Sequence, residues 1–328
     1  MGDVILGTGL SALIWGFHHP DSILIGGELA GGMVRDSPIP FYLHEHPATK
    51  QMLEDLNLST DTKNIEVRYR WTGSEVTYPI PPVWFRDTYY CNTREIMEHT
   101  QGTKEEVQVP CSVMNADKSS FKAYKVTGKA LIKALEKSVS ETCTIFRHNV
   151  EEISFPQDRK ETIIKTDIIE IVTSEKIIST IPALKFKSIK GCEDLPITRE
   201  DAMSKIYTIS DQAFWSGDTY DMLYQTPELG PDTSELKTPS RIIRKRRAGV
   251  VYDEYTVSSK DMDTLARYLP ILKTNKDIFI YPDIAVRNNL GIMNYRNVQF
   301  LGRGACWHHD IKIENVIQAA VMDREIVK

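Results

Sequence analysis

The sequence predicts an α/β fold, and three observations carry that prediction. A short apolar run, Val4-Ile5-Leu6, is followed by a glycine turn and then by apolar residues at helical spacing. A second apolar run lies at residues 22–25. Near the other end of the chain, residues 297–304 indicate a strand that runs into another glycine turn, and an amphipathic helix follows. Strands that alternate with helices are typical of a parallel sheet.

Composition narrows the class of protein. The chain has 328 residues, with 40 basic and 45 acidic side chains and a formal net charge of −5. This length suits one large domain or two interleaved ones. The mild acidity argues against a protein dedicated to coating nucleic acid, because such a protein would be strongly basic. The five cysteines form no Cys-x-x-Cys pair, which favours reduced thiols in the cytoplasm and gives no support to a structural zinc site.

The longest uncharged stretch runs from Val4 to Pro20 and superficially resembles a signal peptide. It lacks a basic segment before it, three glycines interrupt it, and it is shorter than the ~20 apolar residues that a membrane span requires. We therefore expect a soluble, cytoplasmic protein that makes no membrane contact.

The first glycine turn has the spacing of a dinucleotide-binding fingerprint. Gly7 permits the tight turn, Gly9 lets a pyrophosphate approach the main chain, and the small Ala12 lets helix and strand pack closely. The phosphates would then sit at the helix N-terminus. An ordinary glycine turn is the alternative. The predicted cofactor contacts in this segment are Gly7, Gly9, Leu10, Ser11 and Ala12.

An acidic residue follows the second predicted strand. Glu28 lies about 20 residues beyond the glycines, where a carboxylate can accept hydrogen bonds from a ribose hydroxyl. The segment from Glu28 to Arg35 resembles the acid, double glycine and basic residue of the flavoprotein amine oxidase and UDP-galactopyranose mutase superfamily. That resemblance implies FAD as the cofactor. The ligands it implies here are Glu28, Gly31, Gly32, Met33 and Arg35.

The family usually has a longer segment between the acid and the glycine pair. Either the turn is shortened in this chain, or Glu28 is displaced and is not the ribose ligand.

Three later segments extend the resemblance along the chain. Residues 144–153 resemble the strand whose backbone contacts the adenine, which carries over Val150, and residues 176–182 match the strand that ends in Thr-x-Pro, which carries over Thr180. In the family, the final Gly-Arg turn and the following helix start lie against the flavin, where the helix dipole favours electron density on the reduced ring. The implied ligands there are Gly302, Arg303, Asp310 as N-cap, and Ile311.

The order of these motifs implies a discontinuous Rossmann-like FAD-binding domain with an inserted mixed-sheet substrate domain. The FAD-binding domain is predicted to take residues 1–60, 121–185 and 290–328. The substrate domain is predicted to take residues 61–120 and 186–289.

Arginines interleave with aromatic residues in the first inserted segment. Guanidinium groups beside aromatic rings suit a carboxylate, a phosphate or a nucleobase, whereas a solvated strand with core aromatics is the alternative reading. A strand at residues 250–256 adds a further aromatic candidate. The predicted substrate-binding residues are Arg68, Arg70, Trp84, Arg86 and Tyr255.

Residues 241–247 hold the densest positive charge of the chain. This run is either a solvated face or a surface that steers a polyanion, such as nucleic acid or a nucleotide sugar.

Four residues are predicted to act in catalysis. His44 and His46 resemble a histidine-containing stretch near the redox face of the flavin in the mutases, and we assign the role to His44. His308 follows the last glycine turn and can handle a proton near neutral pH. Trp307 in the same segment and Tyr252 on the later strand complete the set. The paired histidines have no spacing that fits a metal site.

The resemblance implies an FAD-dependent oxidoreductase that oxidises a carbon–nitrogen bond of an amine or amino-acid-like substrate, which the arginines suggest is anionic. Hydride transfer to the flavin would give an imine, which water hydrolyses. One alternative is a flavin-dependent sugar mutase, and another is a flavoenzyme that acts on an amino group of a modified nucleotide or nucleic acid. A flavin-binding module without activity is the last alternative. The expected partner is a small-molecule or nucleotide-linked substrate.

Overall fold

The computed structural model describes most of the chain, and its backbone divides into two compact units. The first unit is Met1–Thr62, Tyr124–Met203 and Tyr281–Lys328, and the second is Lys63–Ala123 and Ser204–Ile280. The described residues are 2–27, 31–35, 41–71, 83–85, 88–90, 120–157, 160–198, 202–210, 221–226, 241–247, 250–258, 278–286, 291–307 and 311–327.

Helices and strands alternate through the first unit, while strands dominate the described part of the second. The helices are α1 Leu10–His18, α2 Pro47–Asp55, α3 Gly128–Thr142, α4 Ala183–Lys187 and α5 Ile313–Val327, with a 3-10 helix at Gly32–Val34. The strands are β1 Val4–Leu6, β2 Ile23–Ile25, β3 Leu43–His44, β4 Thr62–Trp71, β5 Val83–Phe85, β6 Thr88–Tyr90, β7 Ser120–Tyr124, β8 Thr144–Phe146, β9 Val150–Ser154, β10 Thr162–Thr166, β11 Glu170–Thr173, β12 Ile177–Ser179, β13 Ala202–Ser210, β14 Met222–Thr226, β15 Arg241–Arg247, β16 Val250–Ser258, β17 Ile278–Val286, β18 Asn294–Tyr295 and β19 Val298–Phe300.

A parallel sheet forms the centre of the first unit. Its strand order is β18-β19-β12-β1-β2-β8, and every pairing is parallel except β18 with β19. Strand side chains alternate between the two faces, so Ile5 packs in one apolar cluster while Val4 and Leu6 pack in the other. Because both faces are covered, β1 is apolar at every position.

Helices cover one face of this sheet. α1 packs against both α3 and α5, and their apolar residues share one cluster with Ile5. α3 is amphipathic, because Leu131, Leu135 and Val139 recur at helical spacing and are fully buried. Each such side chain contributes roughly 1.5–3 kcal/mol by its removal from water. The Thr127 hydroxyl caps α3 by accepting a hydrogen bond from the Ala130 amide at 3.1 Å.

A small antiparallel sheet, β9-β10-β11, contributes to the second cluster. Ile153 of β9 and Ile164 of β10 are fully buried there. Phe186 of α4 meets Phe300 of β19 edge to face, with ring centroids 4.9 Å apart. The central sheet therefore lies between two apolar layers, as the predicted α/β fold requires.

A mixed sheet contains the long strands, in the order β17-β13-β16-β15-β14-β4-β7. β14 pairs parallel with β4 and antiparallel with β15, which in turn pairs antiparallel with β16. Glu254 of β16 is 1% exposed, and its carboxylate is compensated by the Lys205 ammonium at 2.5 Å. Among the described helices, none has the length and apolar character to cross a membrane.

Candidate functional site

The first glycine turn is held in shape by the neighbouring strand. Gly7 has a φ of +110°, and a Cβ atom there would lie 2.3 Å from Oγ1 of Thr180. The Thr180 hydroxyl and amide both donate to the Leu6 carbonyl, at 3.1 and 2.8 Å. Position 7 therefore requires glycine for two reasons, its left-handed conformation and the space that Thr180 fills.

The second glycine of the turn faces open space. Gly9 is the N-cap of α1, and among the described residues, apart from its chain neighbours and the backbone of α1, no heavy atom lies within 4 Å of the position that a Cβ would take. In the part of the chain that the structure describes, no side chain caps the helix, and its first turn contains no acidic residue. The first amides of a helix carry the positive end of its dipole. The space before α1 therefore suits an anion such as a phosphate.

The double glycine lies against this same helix start. The Gly31 amide donates to the Thr8 carbonyl at 2.7 Å, and Gly31 has a φ of +96°. Gly32 has a φ of +52°, and a Cβ there would lie 3.4 Å from Cα of Gly9. The structure thus brings together the two glycine motifs that the sequence analysis assigned to one cofactor.

The C-terminal glycine turn also reaches α1. Gly302 has a φ of +93°, and a Cβ there would lie 2.6 Å from Oγ of Ser11. Arg303 is exposed, and its Nε donates to the Ile311 carbonyl at 3.3 Å. All three glycine motifs therefore meet at the N-terminus of α1.

The helix after this turn starts later than expected. α5 begins at Ile313, two residues beyond the start that an N-cap at Asp310 predicts. The side-chain oxygen of Asn315 accepts a hydrogen bond from the Lys312 amide at 2.9 Å. This bond gives a partner to the amide just before the helix, and Asp310 itself lies outside the described residues.

Two buried polar atoms near these motifs lack a hydrogen-bond partner within the described part of the chain. They are Oγ of Ser179 and Nε1 of Trp307. Ser179 ends β12 in register with Leu6, the residue before the glycine turn, and Trp307 has a φ of +52° and is 1% exposed. A buried polar atom without a partner costs about 1–3 kcal/mol, so these atoms favour a ligand that supplies one.

These observations fit a dinucleotide such as FAD. The open space at Gly9, the close approach of Gly32, and the uncapped helix start form a glycine-lined cradle in front of α1. At the described glycine positions of this cradle, no side chain would keep a pyrophosphate from the main chain.

The structure distinguishes His44 from His46, two histidines whose roles the sequence alone could not tell apart. His46 is the N-cap of α2, where its Nδ1 accepts from the Ala48 amide at 3.2 Å. His44 lies in β3, and its Nδ1 is 4.0 Å from Oε1 of Glu314 in the first turn of α5. Burial lowers the pKa of His44, the Glu314 carboxylate acts in the opposite direction, and Lys312 lowers it further. His44 therefore stays the candidate for proton transfer.

The remaining predicted cofactor ligands have ordinary places in the fold. Leu10 and Ala12 are buried in the helical cluster, Met33 lies in the 3-10 helix, and Val150 is the first residue of β9. Four predicted site residues fall outside the described residues: Glu28, Arg86, His308 and Asp310.

The predicted substrate residues can be placed by strand register. Arg68 and Arg70 lie two positions apart on β4 and so share a face of the sheet. Register across β14 and β15 puts Tyr255 of β16 on that same face and Tyr252 on the opposite one. Trp84 lies in β5, opposite Tyr89 of β6.

Sequence reasoning missed the partners of Arg35. Its Nη1 donates to Oε2 of Glu136 at 3.1 Å, and Oε1 of the same carboxylate accepts from Nη2 of Arg147 at 3.3 Å. No sequence pattern links these positions, because the three residues come together only through the packing of α3.

Comparison with known proteins agrees with this architecture. No protein-family model and no curated protein matches the chain. Among solved structures, a candidate protoporphyrinogen oxidase from Exiguobacterium sp. 255-15 has a TM-score of 0.62 at 13% identity, covering 99% of this chain and 98% of that one. An oxidoreductase from Methanosarcina mazei has a TM-score of 0.61 at 11% identity, covering 99% and 100%. Cyclohexylamine oxidase from Brevibacterium oxydans IH-35A has a TM-score of 0.60 at 10% identity, covering 99% and 98%.

At such low identity these likenesses establish the fold alone. The predicted fold class is thereby confirmed, and the resemblance to the amine-oxidase-like flavoproteins is confirmed at the level of the fold: the chain has the α/β architecture of these oxidoreductases along nearly its whole length.

Proposed function

We propose that the chain is an FAD-dependent oxidoreductase that oxidises a carbon–nitrogen bond. The observation that carries the proposal is the glycine-lined cradle at the N-terminus of α1, where Gly9 faces open space and Gly32 approaches it closely. Bound FAD would supply the hydride-accepting chemistry, since cofactors carry such steps and the protein supplies orientation and electrostatics.

The first unit has the residues to hold FAD. The amides at the start of α1 would bind the pyrophosphate, with Gly7 shaping the turn and Gly31 and Gly32 closing the opposite side. The Gly302 turn contacts Ser11 of the same helix, which would place the flavin end beside residues 302–307. Buried Trp307 would help to exclude water there.

His44 would accept a proton from the substrate or product. Its lowered pKa favours the neutral imidazole at neutral pH, which can accept a proton. The nearby carboxylate of Glu314, 4.0 Å away, would stabilise the imidazolium that forms.

The second unit would bind the substrate. Arg68, Arg70 and Tyr255 share one face of its sheet by register, which supports an amine that also carries an anionic group. One protein of the same fold is named for the oxidation of cyclohexylamine, which supports amine chemistry on this architecture.

An anaerobic titration tests the proposal. The purified protein is loaded with FAD, its flavin spectrum is recorded, and amines, amino acids, UDP-sugars and modified nucleosides are added without oxygen. We expect bleaching of the flavin by an amine or amino acid. Turnover of a UDP-sugar only after dithionite reduction, without net flavin oxidation, would favour the mutase and contradict amine oxidation. A protein that takes up no FAD contradicts the whole proposal.

A further inference from the structure

We propose that Glu136 is a positioning residue of the nucleotide site and that Arg147 is a binding residue for the phosphates of the AMP half of FAD. The inference rests on the proposed function, because it concerns how that cofactor is held. It assigns roles to two residues that no sequence motif identified.

The contact at its centre is one carboxylate between two guanidinium groups. Glu136 lies in the middle of α3, and its two oxygens each accept one hydrogen bond, at 3.1 Å from Arg35 and at 3.3 Å from Arg147. Glu136 is 24% exposed, whereas Arg35 and Arg147 are 32% and 48% exposed. The carboxylate is thus the more buried member, and both cations extend towards solvent.

Arg35 ends a loop that begins at the α1 cradle. The Gly31 amide of this loop donates to the Thr8 carbonyl at 2.7 Å, and the Arg35 amide donates to the Gly32 carbonyl at 3.1 Å. The backbone of Arg35 is therefore one short turn away from Gly31, which is bonded to the residue before Gly9.

Arg147 lies on a second loop, which is hydrogen-bonded to the first through Gly26. It follows Phe146 at the end of β8, and the Phe146 carbonyl accepts from the Gly26 amide at 3.0 Å. Gly26 follows β2, in the segment that leads to Gly31 and Arg35, and a Cβ there would lie 2.9 Å from Oγ1 of Thr8 in the glycine turn.

The Gly26–Phe146 hydrogen bond and the Glu136 carboxylate therefore connect the same two loops at two points, which closes a ring of contacts. The ring therefore fixes the position of Arg147 relative to the loop that carries Gly31 and Arg35. Two arginines and one glutamate sum to a formal charge of +1. A guanidinium held by a carboxylate on one edge can still bind a phosphate bidentately with other N–H groups.

The variant Glu136→Gln distinguishes a positioning role from a simple electrostatic effect, because the two predict opposite changes in the affinity for FAD. Removing a negative charge near an anionic ligand would tighten its binding, whereas losing the bridge would weaken it. We expect FAD and ADP both to bind more weakly, about tenfold in Kd, which is about 1.4 kcal/mol. Quenching of flavin fluorescence measures FAD, and calorimetry measures ADP.

Glu141→Gln is the matched control, since Glu141 is exposed on the same helix and carries the same charge. Its FAD affinity should stay within twofold of wild type. Arg147→Gln should weaken FAD and ADP and reduce the salt dependence of binding, because it removes a cation from the phosphate site. The melting temperature of each protein without FAD identifies any variant that fails to fold. If Glu136→Gln fails to fold, Glu136→Asp takes its place.

Unchanged or tighter FAD binding by Glu136→Gln overturns the inference, and so does a loss of FAD affinity without a loss of ADP affinity. Wild-type protein that binds neither nucleotide would instead overturn the proposed function. The two failures are therefore distinguishable.

Discussion

Gly302 and Ser11 come from opposite ends of the chain, yet a Cβ atom at position 302 would lie 2.6 Å from the Ser11 hydroxyl oxygen. This approach closes the cradle, because it brings the C-terminal turn onto the first turn of α1. Glycine is needed at 302 for this contact and for its φ of +93°.

Gly302→Ala should therefore destabilise the protein. The left-handed conformation alone costs roughly 1–2 kcal/mol for a residue with a Cβ, and the contact with Ser11 adds to it. Urea unfolding without FAD measures the loss. Gly304→Ala is the control in the same turn, because its Cβ would find Pro182 no closer than 3.6 Å, so its change should be within about 0.5 kcal/mol. Equal stabilities for the two variants would contradict this account.

Gly9→Ala should leave folding intact and impair cofactor binding. The backbone at Gly9 has a φ of −69° and a ψ of 178°, which alanine adopts readily, and open space surrounds the new methyl group. We expect the free energy of unfolding without FAD to fall by no more than about 1 kcal/mol, because alanine is a poorer N-cap than glycine. The methyl would occupy the approach of the pyrophosphate, and we expect Kd for FAD to rise by about tenfold or more, or about 1.4 kcal/mol.

The comparison variant for Gly9→Ala is Gly7→Ala, whose methyl would lie 2.3 Å from Oγ1 of Thr180 at a φ of +110°. It should lose stability even without FAD. If Gly9→Ala binds FAD as tightly as wild type, the cradle is not the pyrophosphate site.

His44 should contribute a pH dependence to stability. Burial lowers its pKa in the folded state below the ordinary 6.5, so at mildly acidic pH the unfolded chain binds more protons than the folded one. The stability associated with this group is complete above pH 6.5 and is lost as pH falls towards the folded-state pKa. The melting temperature of wild type minus that of His44→Gln should therefore fall as pH decreases from about 7 to 5. A difference that is constant over this range would contradict the assignment.

The thiols of Cys192 and Cys306 should be unreactive in the native protein. Burial raises the pKa of each thiol to about 12, and Cys306 also donates to the Phe300 carbonyl. Because the thiolate is the nucleophile, iodoacetamide at pH 8 should leave both unmodified, while unfolded protein is alkylated at both. Peptide mapping by mass spectrometry reads the result. Native labelling of Cys306 at the unfolded rate would show that the residue is accessible and ionised.

Much of the first unit could be predicted from the sequence because its signals are local. The order of strand, glycine turn and helix at Val4–His18 follows from apolar periodicity and from residues that tolerate a tight turn. The same holds for the turn at Gly302. The described part of α5 begins at Ile313, and the Asn315 side chain bonds to the Lys312 amide there, while the predicted N-cap Asp310 lies outside the described residues.

Long-range contacts decided the rest. The sequence could not tell that His46 caps a helix while His44 faces Glu314, since both residues belong to one His-x-His pattern. It could not pair Arg35 with Glu136. Nor could it tell which of Tyr252 and Tyr255 lies on the same sheet face as Arg68. Strand register and helix packing set these relations.

By itself, the sequence determined that this chain forms a parallel α/β sheet with three glycine turns, because backbone freedom and apolar periodicity are properties of neighbouring residues. Only the tertiary structure decided that the three turns meet at one helix start and that one carboxylate joins two arginine-bearing loops beside it. The physical reason is that these contacts form between segments distant along the chain, which the buried apolar layers on both faces of the central sheet bring together.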